Sequence, residues 1–260
     1  MSGRLYFTGD THGDPLRFGY RNFPESRQFG EDDIMVICGD CGFVWNYEFT
    51  KCSNQDRYSL KWLNDKGYIF IMVCGNHENF NVIEQMPQVK KFNGIVRQCV
   101  YEGVVYENLF YIDKPTTLDL NGSHCLVIPK ADSRDKEYRE ENYSWWPQEK
   151  GDITAEREFV ESHMGEYFDF VITHDCCAEM DNVRRPDGCP GGLANTPREI
   201  FFDELRVKLE YGCWVHGHMH EEALIYDGCD GKPAICIYHK IFSDDDIVNI
   251  TDDFRHSLIT

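Results

Sequence analysis

No apolar run in this sequence approaches the ~18 residues that a membrane-spanning helix needs. Positive charge is also scarce: 26 Lys and Arg stand against 45 Asp and Glu, for a formal net charge of −19. A chain so acidic repels nucleic-acid backbone and anionic membranes unless its cations are gathered locally against the trend. There is no linker, internal repeat or low-complexity tract, so one domain over residues 1–260 is expected. The start runs from a short apolar segment straight into polar residues and offers no secretory leader, so a cytoplasmic protein is expected. The twelve cysteines are then read as thiols of a reducing compartment. Cys38-Gly39-Asp40-Cys41 has C-x-x-C spacing, but no second such pair completes a four-cysteine zinc site. Cys38, Cys74, Cys125 and Cys236 lie in apolar runs, where a free Cys packs as a small hydrophobe.

What the chain does have is a repeated local pattern, a short apolar run ending in polar residues beside a glycine. Residues 4–8, 34–38, 68–74, 168–173 and 213–215 are such runs. Continuous apolar runs of this length read as strands buried on both faces, in sheets covered by helices. In such sheets, sites form just beyond the carboxyl ends of the strands. Helices are expected around 58–63, stopping at Gly67; from Asp152 to Met164, with an Asp cap; and from Thr196 through Pro197 to Leu209. Residues 100–129 alternate, and Asn121-Gly122 signals a tight hairpin. A second hairpin is expected around 227–231, leading into residues 234–238. Asp244-Asp245-Asp246 and Asp252-Asp253 read as a solvated tail.

The polar ends of the apolar runs carry metal-ligand residues. They are Gly9-Asp10-Thr11-His12-Gly13, Gly39-Asp40-Cys41-Gly42, Gly75-Asn76-His77-Glu78, Thr173-His174-Asp175 and Gly217-His218-Met219-His220. Together, with Glu78 and Asp175 set aside, they offer two carboxylates, one amide and five imidazoles. A phosphate ester is an anion, so an attacking hydroxide meets charge repulsion. Two divalent cations ~3.5–4 Å apart would neutralise that charge, acidify a water and hold the phosphoryl oxygens for in-line displacement. Mixed Asp, Asn and His donors suit manganese first, then iron, zinc or nickel, better than the all-oxygen preference of calcium.

The ordered set G-D-x-H, G-D, G-N-H-[DE], a lone His and G-H-x-H resembles the calcineurin-like metallophosphoesterase family, over residues 9–220. The resemblance implies an α/β fold, a two-sheet α/β/β/α sandwich with a dinuclear metal site at one edge. It further implies that Asp10, His12 and His220 bind one metal, that Asn76, His174 and His218 bind the second, and that Asp40 bridges them. His77 would face the substrate, protonating the leaving oxygen or stabilising the transition state. Asp10 and His12, like His218 and His220, lie two residues apart, an interval that puts side chains on one side of an extended backbone. Glu78 and Asp175 are candidates for orienting imidazoles, and His216 for a structural or outer role.

Protein phosphatases of this superfamily usually carry Asp-Arg after the second Gly-Asp. Here the run is Gly39-Asp40-Cys41-Gly42-Phe43-Val44-Trp45, which weakens a protein-phosphatase reading. Phe43, Val44 and Trp45 form either a wall of the site or ordinary packing. The segment from Ala131 to Glu149 resembles one in phage and bacterial members, with Ser-x-Asp-Lys followed by Trp-Trp-x-x-Glu. It is expected either to form a wall over the metals or to be a packed loop with solvated charges. In the first case Arg134, Lys136 and Arg139 would meet phosphate, and Trp145 and Trp146 would stack on a ring. Residues 181–192 read as a second long loop near His174. Cys38, Cys41, Cys74, Cys176 and Cys177 neighbour the candidate ligands, where either inert packing or oxidation sensitivity is open. The resulting expectation is hydrolysis of a small or nucleotide-like phosphoester, with no membrane or nucleic-acid partner. A nuclease on the same metals, or a non-catalytic scaffold, are the alternatives.

Overall fold

The computed structural model describes residues 3–45, 53–179, 195–225 and 232–257. The strands in chain order are β1 (Leu5–Thr8), β2 (Ile34–Ile37), β3 (Ile69–Val73), β4 (Gln88–Lys91), β5 (Gly94–Tyr101) and β6 (Val104–Ile112). These are followed by β7 (Thr116–Leu120), β8 (Ser123–Ile128), β9 (Tyr167–Thr173), β10 (Glu210–His216), β11 (Ala223–Ile225), β12 (Ala234–Cys236) and β13 (Phe242–Ser243). The helices are α1 (Ser53–Asn64), α2 (Phe80–Ile83), α3 (Ile153–Glu161), α4 (Pro197–Lys208) and α5 (Asp244–Ser257). One sheet has the order β13-β1-β2-β3-β6-β5-β4, the other β11-β12-β10-β9-β8-β7. The centre of each is parallel: β1, β2, β3 and β6 in the first, β12, β10, β9 and β8 in the second.

Alternation within each buried strand sorts side chains into three apolar layers. On β2, Met35 and Ile37 face the outer layer with Leu60 and Leu63 of α1, while Ile34 and Val36 face the space between the sheets. On β10, Val215 faces that inner space and Trp214 faces Phe202 of α4 on the far side. The result is the expected α/β/β/α sandwich, with parallel strands buried on both faces because helices cover the outside. Asp152 caps α3 by accepting from the backbone of Thr154 and Ala155, and Thr196 with Glu199 forms a capping box on α4. Asn121 and Gly122, at φ 52° and 99°, make the tight turn between β7 and β8.

Two expectations on organisation meet different outcomes. The acidic residues from Asp244 onward are largely exposed, as expected, but they belong to a helix rather than to a tail. They start α5, whose Ile247 is fully buried against the inter-sheet layer. Ser243 and Asp246 exchange hydrogen bonds at its start (Ser243 N to Asp246 Oδ2 2.9 Å, Asp246 N to Ser243 Oγ 3.0 Å), and acidic residues suit the positive end of a helix. The turn of the second hairpin, at 227–231, and the loop at 181–192 lie outside the described residues, but β11 and β12 that flank the turn do pair antiparallel. Among the described residues no helix is long and apolar enough to cross a membrane.

The sequence gives little sign of the buried ion pair under α3 and α4. Arg198 is fully buried and forks onto Glu156 (Nη1 to Oε2 2.8 Å, Nη2 to Oε1 3.0 Å), while Nη2 also reaches the Lys150 carbonyl at 2.7 Å. Arg198→Met would leave Glu156 buried without its cation and is expected to cost about 3–5 kcal/mol in urea unfolding. Adding Glu156→Leu should restore most of that loss. A single variant as stable as wild type would show that water reaches Glu156.

Candidate metal centre

Five loops leave the carboxyl ends of β1, β2, β3, β9 and β10 and meet where the two sheets adjoin. The β1 and β2 loops keep pairing past their strands: Asp10 N donates to Gly39 O (3.1 Å), His12 N to Asp40 O (2.9 Å) and Gly13 N to Cys41 O (2.8 Å). Across the seam, His218 N donates to both carboxylate oxygens of Asp10 at 3.1 Å, and His174 Nδ1 donates to the Cys38 carbonyl at 2.9 Å.

The backbone that carries these side chains is not extended. Asp10, His12, Asp40, His218 and His220 have φ of 48°, 45°, 48°, 67° and 51°. The period-two argument for Asp10 with His12, and for His218 with His220, is therefore corrected: left-handed turns, not a strand, aim these residues. Such turns cost a non-glycine residue about 1–2 kcal/mol each and persist where the surroundings over-determine them. The glycines explain themselves by close approach. A Cβ on Gly39 would collide with the His174 ring, and one on Gly75 with Asp40 and His174.

Asp10, His12 and His220 bring ligand atoms within 4.8 Å of one another, and so do Asp40, His174 and His218; His12, Asp40 and His77 form a third such group. His220 Nε2 lies 3.1 Å from His12 Nε2 and 3.4 Å from Asp10 Oδ1. His174 Nε2 lies 3.2 Å from Asp40 Oδ1 and 3.1 Å from Asn76 Oδ1. Because Nδ1 of His174 spends its proton on a carbonyl, a neutral His174 would point a lone pair at two oxygens that can only accept. Something positive has to sit there, either a second ring proton or a cation, so the donor set fits a metal ion.

The charges behave accordingly. Burial alone would lower the pKa of His174, but the charge and hydrogen bond of Asp40 outweigh it and hold it up at about 10. Burial would raise Asp40, yet the His174 charge keeps its carboxyl well below the usual range. Burial and the His174 charge push His218 down. His77 is pushed to about 4 by burial and Arg139, against the pull of Asp40.

The surrounding residues divide into those that reach the site and those that do not. Glu78 does not orient an imidazole; its Oε1 accepts from Cys41 N at 2.7 Å and so shapes the Asp40 loop, while burial and Asp40 raise its pKa to about 8. Asp175 accepts from the backbone of Cys176 at 2.9 Å, again not from a ring. His216 is fully buried at the end of β10, with Nδ1 donating to Gly217 O at 3.0 Å. A cleft of about 250 Å³ is lined by Asp40, Asn76, His77, Arg134, His218 and His220, among others. Arg139 contacts the His77 ring (Nη2 to Nδ1 3.1 Å), and Arg134 pairs with Glu199. Lys136 instead lies over the Trp145 ring at 4.2 Å. Trp145 and Trp146 are 6% and 1% exposed, so the expectation that they stack on a substrate ring is corrected: they pack inward, Trp146 edge-on to Trp45.

Three supports escape a reading by residue type. Arg17 donates to the Gly9 carbonyl, the Asp10 carbonyl (3.2 Å) and the Tyr238 carbonyl (2.5 Å), tying the first loop in place. The Tyr238 ring stacks on His220, 4.5 Å apart and 7° from parallel. Ser133 Oγ donates to Glu149 Oε2 (2.9 Å) and accepts from Asn76 Nδ2 (3.1 Å), which turns the Asn76 oxygen toward His174. Ser133 and Glu149 stand in the Ala131–Glu149 segment as the Ser and Glu of its motif, which was their only signal.

Residues 3–222 match the calcineurin-like phosphoesterase family. The chain belongs to that family. Calcineurin-like phosphoesterases are metal-dependent hydrolases of phosphoesters, and the clusters above are candidate ligand groups for such metals. Among solved structures, the chain is similar to a phosphopantetheinyl hydrolase from Mycobacterium tuberculosis, at 12% identity and a TM-score of 0.44, covering 91% of this chain and 90% of that one. It is also similar to a putative 5'-nucleotidase from Staphylococcus aureus, at 12% identity and a TM-score of 0.49, covering 92% of this chain and 50% of that one. No curated protein matches it.

Two measurements probe this centre. A ligating imidazole must be neutral, whereas metal-free His174 keeps its extra proton until pH rises through about 10. Metal uptake below that pH should therefore release a proton, and affinity should climb with pH. Titration calorimetry in buffers of different ionisation enthalpy reads this directly; a buffer-independent heat would mean that His174 is already neutral. Ser133→Ala removes the partner that orients Asn76 and should weaken metal binding about 10–100-fold, leaving the unfolding midpoint of the metal-free protein nearly unchanged.

Proposed function

We propose that the chain hydrolyses small phosphorylated molecules at a pair of divalent cations. The observation that carries this reading is the convergence of Asp10, His12 and His220 beside Asp40, His174 and His218, with Asn76 facing His174. In the reading, the first three hold one cation, Asn76, His174 and His218 hold the other, and Asp40 lies between them. Oxygen and imidazole donors together favour manganese, with iron, zinc or nickel as alternatives. When bound, the cations would neutralise phosphate charge and supply an acidified water as nucleophile.

The chain's own residues then have separable tasks. Asp40 Oδ1 accepts from His77 N at 2.7 Å, which fixes the start of the third loop and keeps the His77 side chain at the cleft. The His77 ring is 32% exposed where the Asp40 side chain is 2% exposed, so it is His77 that can reach a departing oxygen. Arg139 Nη2 lies along the nitrogen edge of that ring, against Nδ1 and more closely Nε2, and so fixes the ring's position. His77 would supply an N–H to the leaving oxygen as negative charge develops there. Arg134 lines the cleft and would hold a phosphoryl oxygen from the side.

The test is metal analysis of the purified protein, run with turnover of p-nitrophenyl phosphate and its bis ester under added manganese. About two metals per chain are expected, with turnover abolished by chelator. His77→Ala should retain metal and lose roughly 10²–10⁴ in kcat, whereas Asp40→Ala should lose the metal itself. A His77→Ala protein with wild-type turnover would remove His77 from the mechanism. Failure to take up metal at all would end the dinuclear reading.

A further inference from the structure

The two candidate cation sites are built with unequal support. In the second, His174 is fully buried and ties itself across the seam, donating from Nδ1 to the Cys38 carbonyl at 2.9 Å, and Ser133 orients the neighbouring Asn76. In the first, His220 has no such tie. Its polar contacts, with His12 at 3.1 Å and with Asp10 at 3.4 Å, both use Nε2, the nitrogen that faces the site. Among the described residues nothing bonds to its Nδ1, and its side chain is 48% exposed. A ligating imidazole is normally aimed through its second nitrogen, so the His220 ring has to be aimed in another way.

Tyr238 meets that ring face to face, 4.5 Å away and 7° from parallel. It lies on the segment between β12 and β13, which crosses from the second sheet to the first. The Tyr238 carbonyl accepts from Arg17 Nη1 at 2.5 Å and from Thr8 Oγ1 at 3.4 Å. The same guanidinium donates to the Gly9 carbonyl, to the Asp10 carbonyl at 3.2 Å and to Nδ1 of His239 at 3.3 Å. One planar group therefore grips both the loop that carries Asp10 and the segment that carries Tyr238. The two run close together: a Cβ on Gly9 would sit 2.4 Å from the Ile237 carbonyl oxygen. The grip has a firm base. Arg17 belongs to a 3-10 turn, Pro15–Phe18, capped by Asp14, which accepts from Leu16 N at 2.9 Å. Phe18 of that turn is fully buried in the outer apolar layer of the first sheet. The acceptors of Arg17 among the described residues are neutral carbonyls, a hydroxyl and a ring nitrogen. The group thus acts through the directions of its N–H bonds, which a lysine ammonium does not reproduce.

We propose that Arg17 is the positioning residue of the first cation's site: through Tyr238 it holds the His220 ring in register with Asp10, and the second site does not depend on it. The proposal rests on the dinuclear reading only for what Asp10 and His220 hold. The stack itself can be read without metal. A tyrosine face shields the carbon-bound protons of a ring lying over it. The His220 ring signals of the metal-free protein should therefore stand upfield in wild type and move downfield in Arg17→Lys, which keeps the charge and loses the fork. Unmoved signals would overturn the proposal. Calorimetric titration with manganese should show two binding steps in wild type. In Arg17→Lys one step should weaken about 10–100-fold and the other should stay as it was. Equal weakening of both steps would mean a general support of the fold, and the assignment would fall. Arg17 also lines an open cavity of about 610 Å³ with Asn22, His239 and Lys240, so the space vacated in Arg17→Ala is reachable from solvent. Guanidinium ion, below denaturing concentration, should restore the weakened step in Arg17→Ala, and ammonium at the same concentration should not. Equal rescue by both ions would show that charge, not direction, is what Arg17 supplies, and would also sink the idea. If wild type takes up fewer than two manganese ions while the His220 signals still answer to Arg17→Lys, the dinuclear reading fails and the positioning role stands. If wild type takes up two and Arg17→Lys binds both with unchanged affinity, the positioning role fails alone.

Discussion

Two carboxylates, Asp10 and Asp40, sit at the seam of the two sheets with 1% of their surface exposed, and the local architecture answers to them. Taking a carboxylate out of water costs several kcal/mol unless it is hydrogen-bonded and charge-paired. Each is met from another segment: Asp10 by the backbone of His218, Asp40 by the backbone of His77 and the ring of His174. Those contacts require loops from both sheets to reach one point. The left-handed turns aim the side chains, and glycines such as Gly39 and Gly75 let a ring from one sheet rest against the backbone of the other.

This dependence explains which parts were legible in the sequence. Parallel strands buried on both faces leave unbroken apolar runs, so residues 34–38 and 69–74 stand out, and the positions just after them are the strand ends where sites form. Asn121-Gly122 and the Thr196-Pro197 helix start were legible because local chemistry decides them. The clusters of Asp10, His12 and His220 and of Asp40, His174 and His218 followed from motif order through a family resemblance, not from any local geometry. The geometric argument offered for the paired residues failed, since a two-residue interval looks alike in a strand and in two successive left-handed turns.

Other misses share one cause: residue type does not reveal what a side chain touches. Aspartates at 244–246 look like a loose tail until Ser243 and the buried Ile247 make them the exposed start of a helix. Trp145 and Trp146 next to basic residues suggest a stacking platform, but the apolar layer outside the first sheet takes Trp146 in. Arg17 and Tyr238 hold the first loop through backbone carbonyls and a ring face, contacts that exist only once residues 221 positions apart are adjacent. Ser133 is the most informative case. A single hydroxyl, already donating to Glu149, can only accept from Asn76, and that one constraint sets which end of the amide meets His174.

The basic residues near the cleft bear on how an acidic protein could attract an anion. Arg134 pairs with Glu199, Arg139 with Asp135, and Arg198 with Glu156. Each of these three guanidiniums is matched by a carboxylate, within a chain of net charge −19. These three pairs therefore add little net positive field of their own to draw in a phosphate. In the dinuclear reading, that field comes from the bound metals, which makes substrate affinity and metal occupancy a single property. Arginines that are already paired would then act as fixed donors whose direction matters more than their charge, which is the use for which a planar guanidinium is suited.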